Sequence, residues 1–281
     1  MNTAQAPKPE VVERDAGGTI FVSASLTHFR SDAPYEGVCV GASFAGIPTA
    51  SFPLKAGCKG WIAHEAGPGL DAAGVSGVRL SGDLGVPAAA VATMQAELSG
   101  GASVLAAPIS VVNAPARSLG VREGQTGLEA ARLMLGGGVQ RSFDVSDRFD
   151  ASVRRVAGTE ASGIYTAWSI GLVEGCRPSD VFCVASHGGP VMADYAAPVA
   201  PRGLIANDAG VGLNRSGIAG IFDLEALGTM GATVSTNSAR IGDPTSTWED
   251  GVISYVNALA REAGVAPGMS ARQAAEIMLL S

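Results

Sequence analysis

The chain repeats itself, and this internal repeat constrains the fold more than any other feature of the sequence. The segment HEAGPGLDAAGVSG (64–77) aligns with NDAGVGLNRSGIAG (207–220) at 6 of 14 identical positions. PISVVNAPARSLGV (108–121) aligns with VISYVNALAREAGV (252–265) at 9 of 14. The offsets are 143 and 144 residues, so the two matches are colinear, and the similarity runs from 38–135 onto 181–279. A repeat of this length predicts two halves of the same architecture.

Each copy alternates short, continuous apolar runs with helical patterns. In the second copy the apolar runs are DVFCVAS, RGLIAND and GATVSTNS, which are typical of parallel strands covered on both faces. The lead-ins GTIFVSASL (18–26) and SGIYTAWSI (162–170) predict one more strand before each copy. The predicted fold is therefore an internally duplicated α/β fold. Its two similar halves would carry parallel strands and flanking helices and be related by a pseudo-two-fold axis.

Three helices are predicted in the second copy. PVMADYAAPV begins with a proline, and ARQAAEIMLL follows Ser270. A long helix capped by Ser246 or Thr247 is predicted from apolar residues at helical spacing, namely Trp248, Val252, Tyr255, Val256 and Leu259. Asn113 and Asn257 occupy matching positions inside the last long helix predicted in each copy, where we expect them to hold a loop by hydrogen bonds.

The predicted organisation has four parts: a flexible N-terminal arm (1–17), a first α/β repeat (18–135), a linker (136–155) and a second α/β repeat (156–281). The N-terminus is polar and lacks the apolar segment of a signal peptide. The glycines and alternating charges of GGGVQRSFDVSDRFDASVRR are typical of a linker.

Composition excludes several partners. The net charge is −7 and no basic run occurs, which argues against a nucleic-acid partner. No apolar stretch approaches the roughly 18 residues of a membrane span. The four cysteines form no CxxC and the three histidines are scattered, so we expect no metal. We expect a cytoplasmic protein with buried free thiols, and self-association into a homo-oligomer through apolar faces stays open.

Polar residues gather where the predicted strands end. Ligands of such sheets bind beyond the carboxyl ends of the strands, so this clustering is the main functional signal. The candidates in the second copy are Ser186, His187, Gly188, Gly189, Asn207, Asp208, Asn237, Ser238 and Arg240, and those in the first are Ser43, His64 and Glu65.

The copies differ at these positions. Ser43 and Ser186 match, but Phe44 follows the first and His187 follows the second. His64-Glu65 aligns with Asn207-Asp208. One composite site could draw on both copies, or the second copy could carry the site alone.

Each candidate has a chemical and a structural interpretation. Ser186 is a nucleophile or an N-cap. His187 and His64 are acid/base groups or buried core histidines. Asp208 and Glu65 orient a catalytic group, or their carboxylates accept amides of the next loop. Gly188 and Gly189 present amides to an oxyanion or only make a tight turn. Arg240 clamps a carboxylate or pairs with Asp243.

No cofactor motif is complete. AGVGLNRSG gives G-x-G-x-x-x-x-G, without the spacing of a dinucleotide-binding loop and without an acidic ribose partner, and no Walker motif occurs. We therefore expect no cofactor. The prediction is an enzyme of hydrolase-like acid/base chemistry acting on a small polar, anionic carbonyl compound. The alternative is a small-molecule-binding or sensor protein that uses the same crevice without turnover.

Overall fold

A computed structural model describes residues 7–30 and 35–281 of the chain. Residues 1–6 of the predicted arm lie outside the described part. Residues 10–15 of that arm form a strand, Glu10–Asp15, which pairs with the first lead-in strand.

The first half forms a six-stranded sheet whose strands lie side by side in sequence order. They are β1 (Glu10–Asp15), β2 (Gly18–Ser23), β3 (Gly37–Phe44), β4 (Gly60–His64), β5 (Ala88–Val91) and β6 (Ile109–Val112). The central strands β2 to β5 are parallel, whereas β1 and β6 run antiparallel to their neighbours. The helices are α1 (Ile47–Ala56), α2 (Ser76–Asp83), α3 (Gly101–Ala106), α4 (Ala114–Ser118) and α5 (Gly127–Gly137).

The second half has a sheet of the same order and the same strand directions. Its strands are β7 (Arg154–Gly158), β8 (Gly163–Ala167), β9 (Val181–His187), β10 (Gly203–Asn207), β11 (Met230–Val234) and β12 (Ile253–Val256). Its helices are α6 (Pro190–Ala196), α7 (Ala219–Asp223), α8 (Pro244–Glu249), α9 (Ala258–Glu262) and α10 (Ala271–Leu280). The α/β class and the two similar halves are confirmed. The sheets are mixed, because each carries an antiparallel strand at both edges.

The prediction of one long helix near the end of the second copy is wrong. Trp248 lies in α8, whereas Tyr255 and Val256 lie in β12. Gly251 separates the two elements, where an added Cβ would stand 2.3 Å from the carbonyl oxygen of Thr247. A close turn at this glycine ends the helix. Apolar residues three or four positions apart fit one long helix, but they fit equally well a short helix followed by a turn and a strand.

The N-cap of α8 also differs from the prediction. Asp243 is the cap, and its carboxylate accepts the N–H groups of Thr245 and Ser246. The other two predicted helices are confirmed as α6 and α10, and Ser270 caps α10. An aspartate directly before a proline is a strong cap because the proline has no N–H to satisfy.

Asn113 and Asn257 are the N-caps of α4 and α9, the short helices that follow the last strands. Asn257 Nδ2 donates to the carbonyl oxygens of Ile221 and Thr229 at 3.0 Å each. Asn113 makes the corresponding bonds to Val78 and Val86, at 3.2 and 2.9 Å. The expected structural role is confirmed, at a helix start and not inside a long helix.

The two halves share part of their core. Apolar side chains of both meet in one buried cluster, which contains Phe44, Ala66, Leu98, Ala209 and Ile241. At the junction Gly67 and Gly210 have φ of 64° and 67°, and a Cβ on either would lie 2.7 Å from the Cα of the other. Only glycine permits this backbone approach and this conformation. The contact places the carboxyl ends of β3, β4, β9 and β10 near the junction.

Candidate functional site

A narrow cleft lies between the halves, where β3 and β9 end. Its volume is about 20 Å³, room for about one water molecule, and it opens to solvent. Both halves contribute lining residues: Ser25, Thr27, Ser43, Phe44 and Thr49 from the first, and Trp168, Ser169, Ser186, His187, Val191, Met192 and Tyr195 from the second. Tyr195 and Thr27 span the cleft with their hydroxyl oxygens 3.3 Å apart. The cleft is therefore composite, although it unites only three of the polar side chains predicted from the sequence.

Those three are Ser43, Ser186 and His187. Ser43 Oγ accepts the N–H of Leu26 at 3.0 Å. Ser186 Oγ and His187 Nε2 have no hydrogen-bond partner within the described part of the chain, and both atoms reach the solvent in the cleft although their residues are largely buried. Both atoms can therefore form hydrogen bonds to water or to a ligand in the cleft.

The His187 ring is held in one tautomer. Its Nδ1 accepts the N–H of Gly189 at 3.1 Å, so the proton of the neutral ring lies on Nε2. Burial, with a smaller contribution from the nearby His64, lowers the pKa of His187 to about 4. At neutral pH the ring is therefore uncharged, and Nε2 is a hydrogen-bond donor.

Phe44 explains why a ring fits there. Its ring packs against Gly46 before α1, just as the His187 ring packs against Gly189 before α6. A Cβ on Gly46 would stand 2.5 Å from the Phe44 ring, and one on Gly189 would stand 2.8 Å from His187 Nδ1. The repeated architecture requires a flat side chain at this position, and only the second copy makes it polar.

The amides of Gly188 and Gly189 are already used. Gly188 N–H donates to the carbonyl oxygen of Asn207 at 2.9 Å, and Gly189 N–H donates to His187. Gly189 also lies against the backbone of Gly220. This arrangement is a tight, closely packed turn and leaves neither amide free for an oxyanion.

His64 and Asn207 end β4 and β10 and both serve the backbone. His64 Nε2 donates to the carbonyl oxygens of Thr93 and Ala96 at 3.1 Å each, and Nδ1 accepts the N–H of Ala66 at 3.0 Å. Burial lowers the pKa of His64, which keeps the ring neutral. Both ring nitrogens are occupied, so His64 is not available as an acid/base group in this structure.

Glu65 and Asp208 hold loops. Glu65 accepts the N–H and hydroxyl of Thr93 at 2.8 and 2.9 Å and the hydroxyl of Ser110 at 2.5 Å. Asp208 Oδ1 accepts the N–H groups of Gly210 and Thr236 at 3.1 and 2.9 Å. Neither carboxylate lines the cleft.

Arg240 lies outside the cleft, and within the described chain it forms ion pairs with Asp71 and, at 3.9 Å, with Asp250, but none with Asp243. Its guanidinium contacts the carboxylate of Asp71 in the other half, with N–O distances of 2.6 and 2.7 Å. Both side chains are largely exposed, at 41% and 62%. The pKa of Arg240 is raised, chiefly by the hydrogen bond to Asp71. Arg240 therefore links the halves at their surface.

The last candidates are also outside the cleft. Ser238 Oγ donates to the carbonyl oxygen of Ser235 and accepts the N–H of Val252, both at 2.9 Å. Asn237 is exposed. These residues form the turn after β11.

Several lining residues were not predicted from the sequence. Ser25 and Ser169 occupy the same position in the two lead-ins, directly after β2 and β8. A shared serine just beyond each lead-in strand was the signal that could have identified them. Trp168 and Tyr195 have no such signal, because their place in the cleft depends on how the halves pack.

A second serine–histidine pair was also missed. Ser23 Oγ lies 2.6 Å from His28 Nδ1, and both residues are buried. Burial lowers the pKa of His28 to about 4, with a smaller effect from Arg30. Neither residue lines the cleft.

The cleft offers hydroxyl groups, one neutral imidazole and aromatic walls, and none of its lining residues is charged at neutral pH. Within the described residues no group of three His, Cys, Asp or Glu side chains could hold a metal ion, and no helix could span a membrane. Comparison with protein-family models, with curated proteins and with solved structures finds no match for this chain.

Proposed function

We propose that the protein binds a small, uncharged polar molecule at the cleft between its two sheets, with one polar group of the ligand entering the cleft. The observation that carries this proposal is that Ser186 Oγ and His187 Nε2 lie unpaired in one cleft of the described chain. A hydroxyl that can donate or accept and a ring N–H that donates suit a carbonyl or hydroxyl oxygen of the ligand. Neighbouring hydroxyls supply further hydrogen bonds.

The absence of charge in the lining argues for an uncharged ligand. An anion in a narrow, partly apolar cleft loses hydration and needs a cation or several amides in return. Arg240, the predicted clamp, is paired with Asp71 at the surface, and the amides of Gly188 and Gly189 are used. The proposed ligand is therefore a polar compound such as the carbonyl compound predicted from the sequence, but it carries no negative charge.

Hydrolase-like turnover is a second candidate, favoured by the same two free groups. Ser186 Oγ would bond to the carbonyl carbon of an ester while the ester C–O bond breaks and the hydroxyl proton leaves with the alcohol, and water would then release the acid and restore the serine; the N–H of His187 would donate to the carbonyl oxygen. A histidine with a pKa of about 4 is a weak base at neutral pH. Binding without turnover is therefore the better supported of the two.

We also propose that a pseudo-two-fold axis relates the halves and passes through the cleft. Its support is that residues at matching positions face each other: Gly67 contacts Gly210, and Ser25 with Ser169 and Ser43 with Ser186 line one cleft. A cytoplasmic location likewise stays a prediction, supported by the buried free thiols of Cys39, Cys58 and Cys183.

The test follows the histidine rings of the ¹⁵N-labelled protein by NMR during titration with acetamide, urea, glycerol and acetate. We expect at least one uncharged probe to shift the Nε2 signal of His187 saturably, with acetate having no such effect. Ser186→Ala, which keeps the His187 ring as the reporter, should weaken the response. His64→Asn is the matched control, because it removes a histidine outside the cleft.

Turnover is tested separately with p-nitrophenyl acetate, an uncharged ester. Hydrolysis that disappears in Ser186→Ala and His187→Phe but persists in His64→Asn would favour the catalytic candidate. Equal hydrolysis in all variants would remove it and leave the binding proposal. If none of the uncharged probes shifts His187 more than His64, the binding proposal fails.

A further inference from the structure

The strands β1 and β7 are the free outer edges of the two sheets and correspond to each other in the repeat. Among residues 7–30 and 35–281 each pairs on one side only, β1 with β2 and β7 with β8. A strand at the edge of a sheet exposes a row of backbone N–H and C=O groups that can pair with another strand.

The two edges carry opposite charges. β1, EVVERD, contains Glu10, Glu13 and Asp15 against a single arginine, whereas β7, RRVAG, contains Arg154 and Arg155 and no acidic residue. Pairing of β1 with β1 or of β7 with β7 would bring like charges together. Pairing of β1 with β7 brings opposite charges together, so the charge pattern selects the mixed pair.

Exposed valines accompany these charges. Val11 of β1 is 52% exposed, and Val156 of β7 and the preceding Val153 are 37% and 39% exposed. β-branched residues on an unpaired edge favour the addition of a strand. They also gain stability if a second strand covers them.

A groove runs beside β7. It has a volume of about 480 Å³, opens to solvent, and is lined by Arg154, Val156, Trp248 and Arg272 and also by Glu249 and Glu276. Arg272 lies over the Trp248 ring, 5.1 Å from its centre. The groove gives the side chains of an added strand an apolar floor, whereas its two guanidinium groups already pair within the chain, Arg154 with Asp150 and Arg272 with Glu249.

We propose that β1 of one copy of the chain pairs with β7 of a second copy, so that the protein associates with itself through these edges. The occupant is a second copy because this chain itself supplies an edge of opposite charge. Glu10 and Arg155 have no ion-pair partner among the described residues, although the Arg155 guanidinium donates to the carbonyl oxygens of Thr159 and Ser162, so an ion pair between copies is open to both. The inference is independent of the function proposed for the cleft.

Sedimentation velocity of the full chain between about 1 and 100 µM tests the proposal. We expect concentration-dependent dimers or longer assemblies at low salt. Pairing between two different edges gives a closed dimer if both contacts form within one pair of copies, and an open chain of copies if they do not. Glu10→Arg and Arg155→Glu should each weaken association by about tenfold or more. The double variant should recover much of the loss, because it restores the opposite charges.

Glu262→Arg and Arg261→Glu are the matched controls, since both residues are exposed and lie on α9, away from the two edges. Thermal unfolding would establish that every variant is folded. A wild-type chain that stays monomeric throughout this range overturns the proposal. Association that responds equally to edge and control variants, or that the double variant does not recover, also overturns it.

Discussion

His64 and Asn207 occupy matching positions at the ends of β4 and β10 and make the same pair of hydrogen bonds. His64 donates to the carbonyl oxygen of Ala96 and accepts the N–H of Ala66. Asn207 donates to the carbonyl oxygen of Ala239 at 3.2 Å and accepts the N–H of Ala209 at 2.9 Å. An imidazole and a carboxamide are thus equivalent here, because each offers one donor and one acceptor at the same separation.

The first prediction follows from that equivalence. His64→Asn should keep the fold and change the free energy of unfolding little, whereas His64→Ala should lower it by about 1–3 kcal/mol or more, because it leaves buried backbone groups unpaired and a cavity. Urea unfolding measures both. Equal destabilisation by the two variants would contradict the equivalence.

The second prediction concerns acid stability. Burial lowers the pKa of His28 and His187 from 6.5 to about 4, so between these values the unfolded chain binds protons that the folded chain does not. The free energy of unfolding should therefore fall as the pH drops from 6.5 towards 4. For each histidine the loss approaches about 1.4 kcal/mol for every pH unit between its two pKa values.

Urea unfolding between pH 7 and 4.5 measures this loss, and His187→Phe isolates one contribution. Phe44 shows that the repeat accepts a phenylalanine at this position, so the variant should fold and lose less stability on acidification. A variant that loses as much stability as the wild type would show that His187 is protonated in the folded state.

The third prediction concerns Arg240. Because its ion pair with Asp71 is exposed, Arg240→Ala should lower the free energy of unfolding only slightly, with less effect at high salt. It should leave ligand-induced shifts of His187 unchanged. Urea unfolding and the NMR titration measure the two effects, and a loss of binding without a loss of stability would return Arg240 to the site.

The fourth prediction tests the junction of the halves. Gly210→Ala places a methyl group 2.7 Å from the Cα of Gly67, so it should destabilise the protein strongly and disturb the cleft. Gly228→Ala is the matched control, since its φ is 70° and nothing lies within 4 Å of the added Cβ. The control should cost only the strain of a positive φ, about 1 kcal/mol. Equal effects on thermal stability would mean that the backbone contact does not hold the halves together.

Much of the fold was predictable, because the repeat and the apolar runs are properties of the chain itself. The two halves, the parallel central strands and the helix after Ser270 follow from them. The strands β6 and β12 were not predictable in the same way. Ile253 and Val256 are spaced for a helix as well as for a strand, and pairing with β11 decides between the two.

The sequence by itself determined that polar side chains stand at the strand ends and that the copies differ at Phe44 and His187. The tertiary structure alone decided which of these side chains remain free. The carboxylate of Glu65 and Nε2 of His64 form hydrogen bonds with groups 28 or more residues away in sequence. The nearest carboxylate to Arg240, that of Asp71, lies in the other half. Hydrogen bonds depend on distance in space, so no local pattern distinguishes a polar residue that serves the backbone from one that faces a ligand.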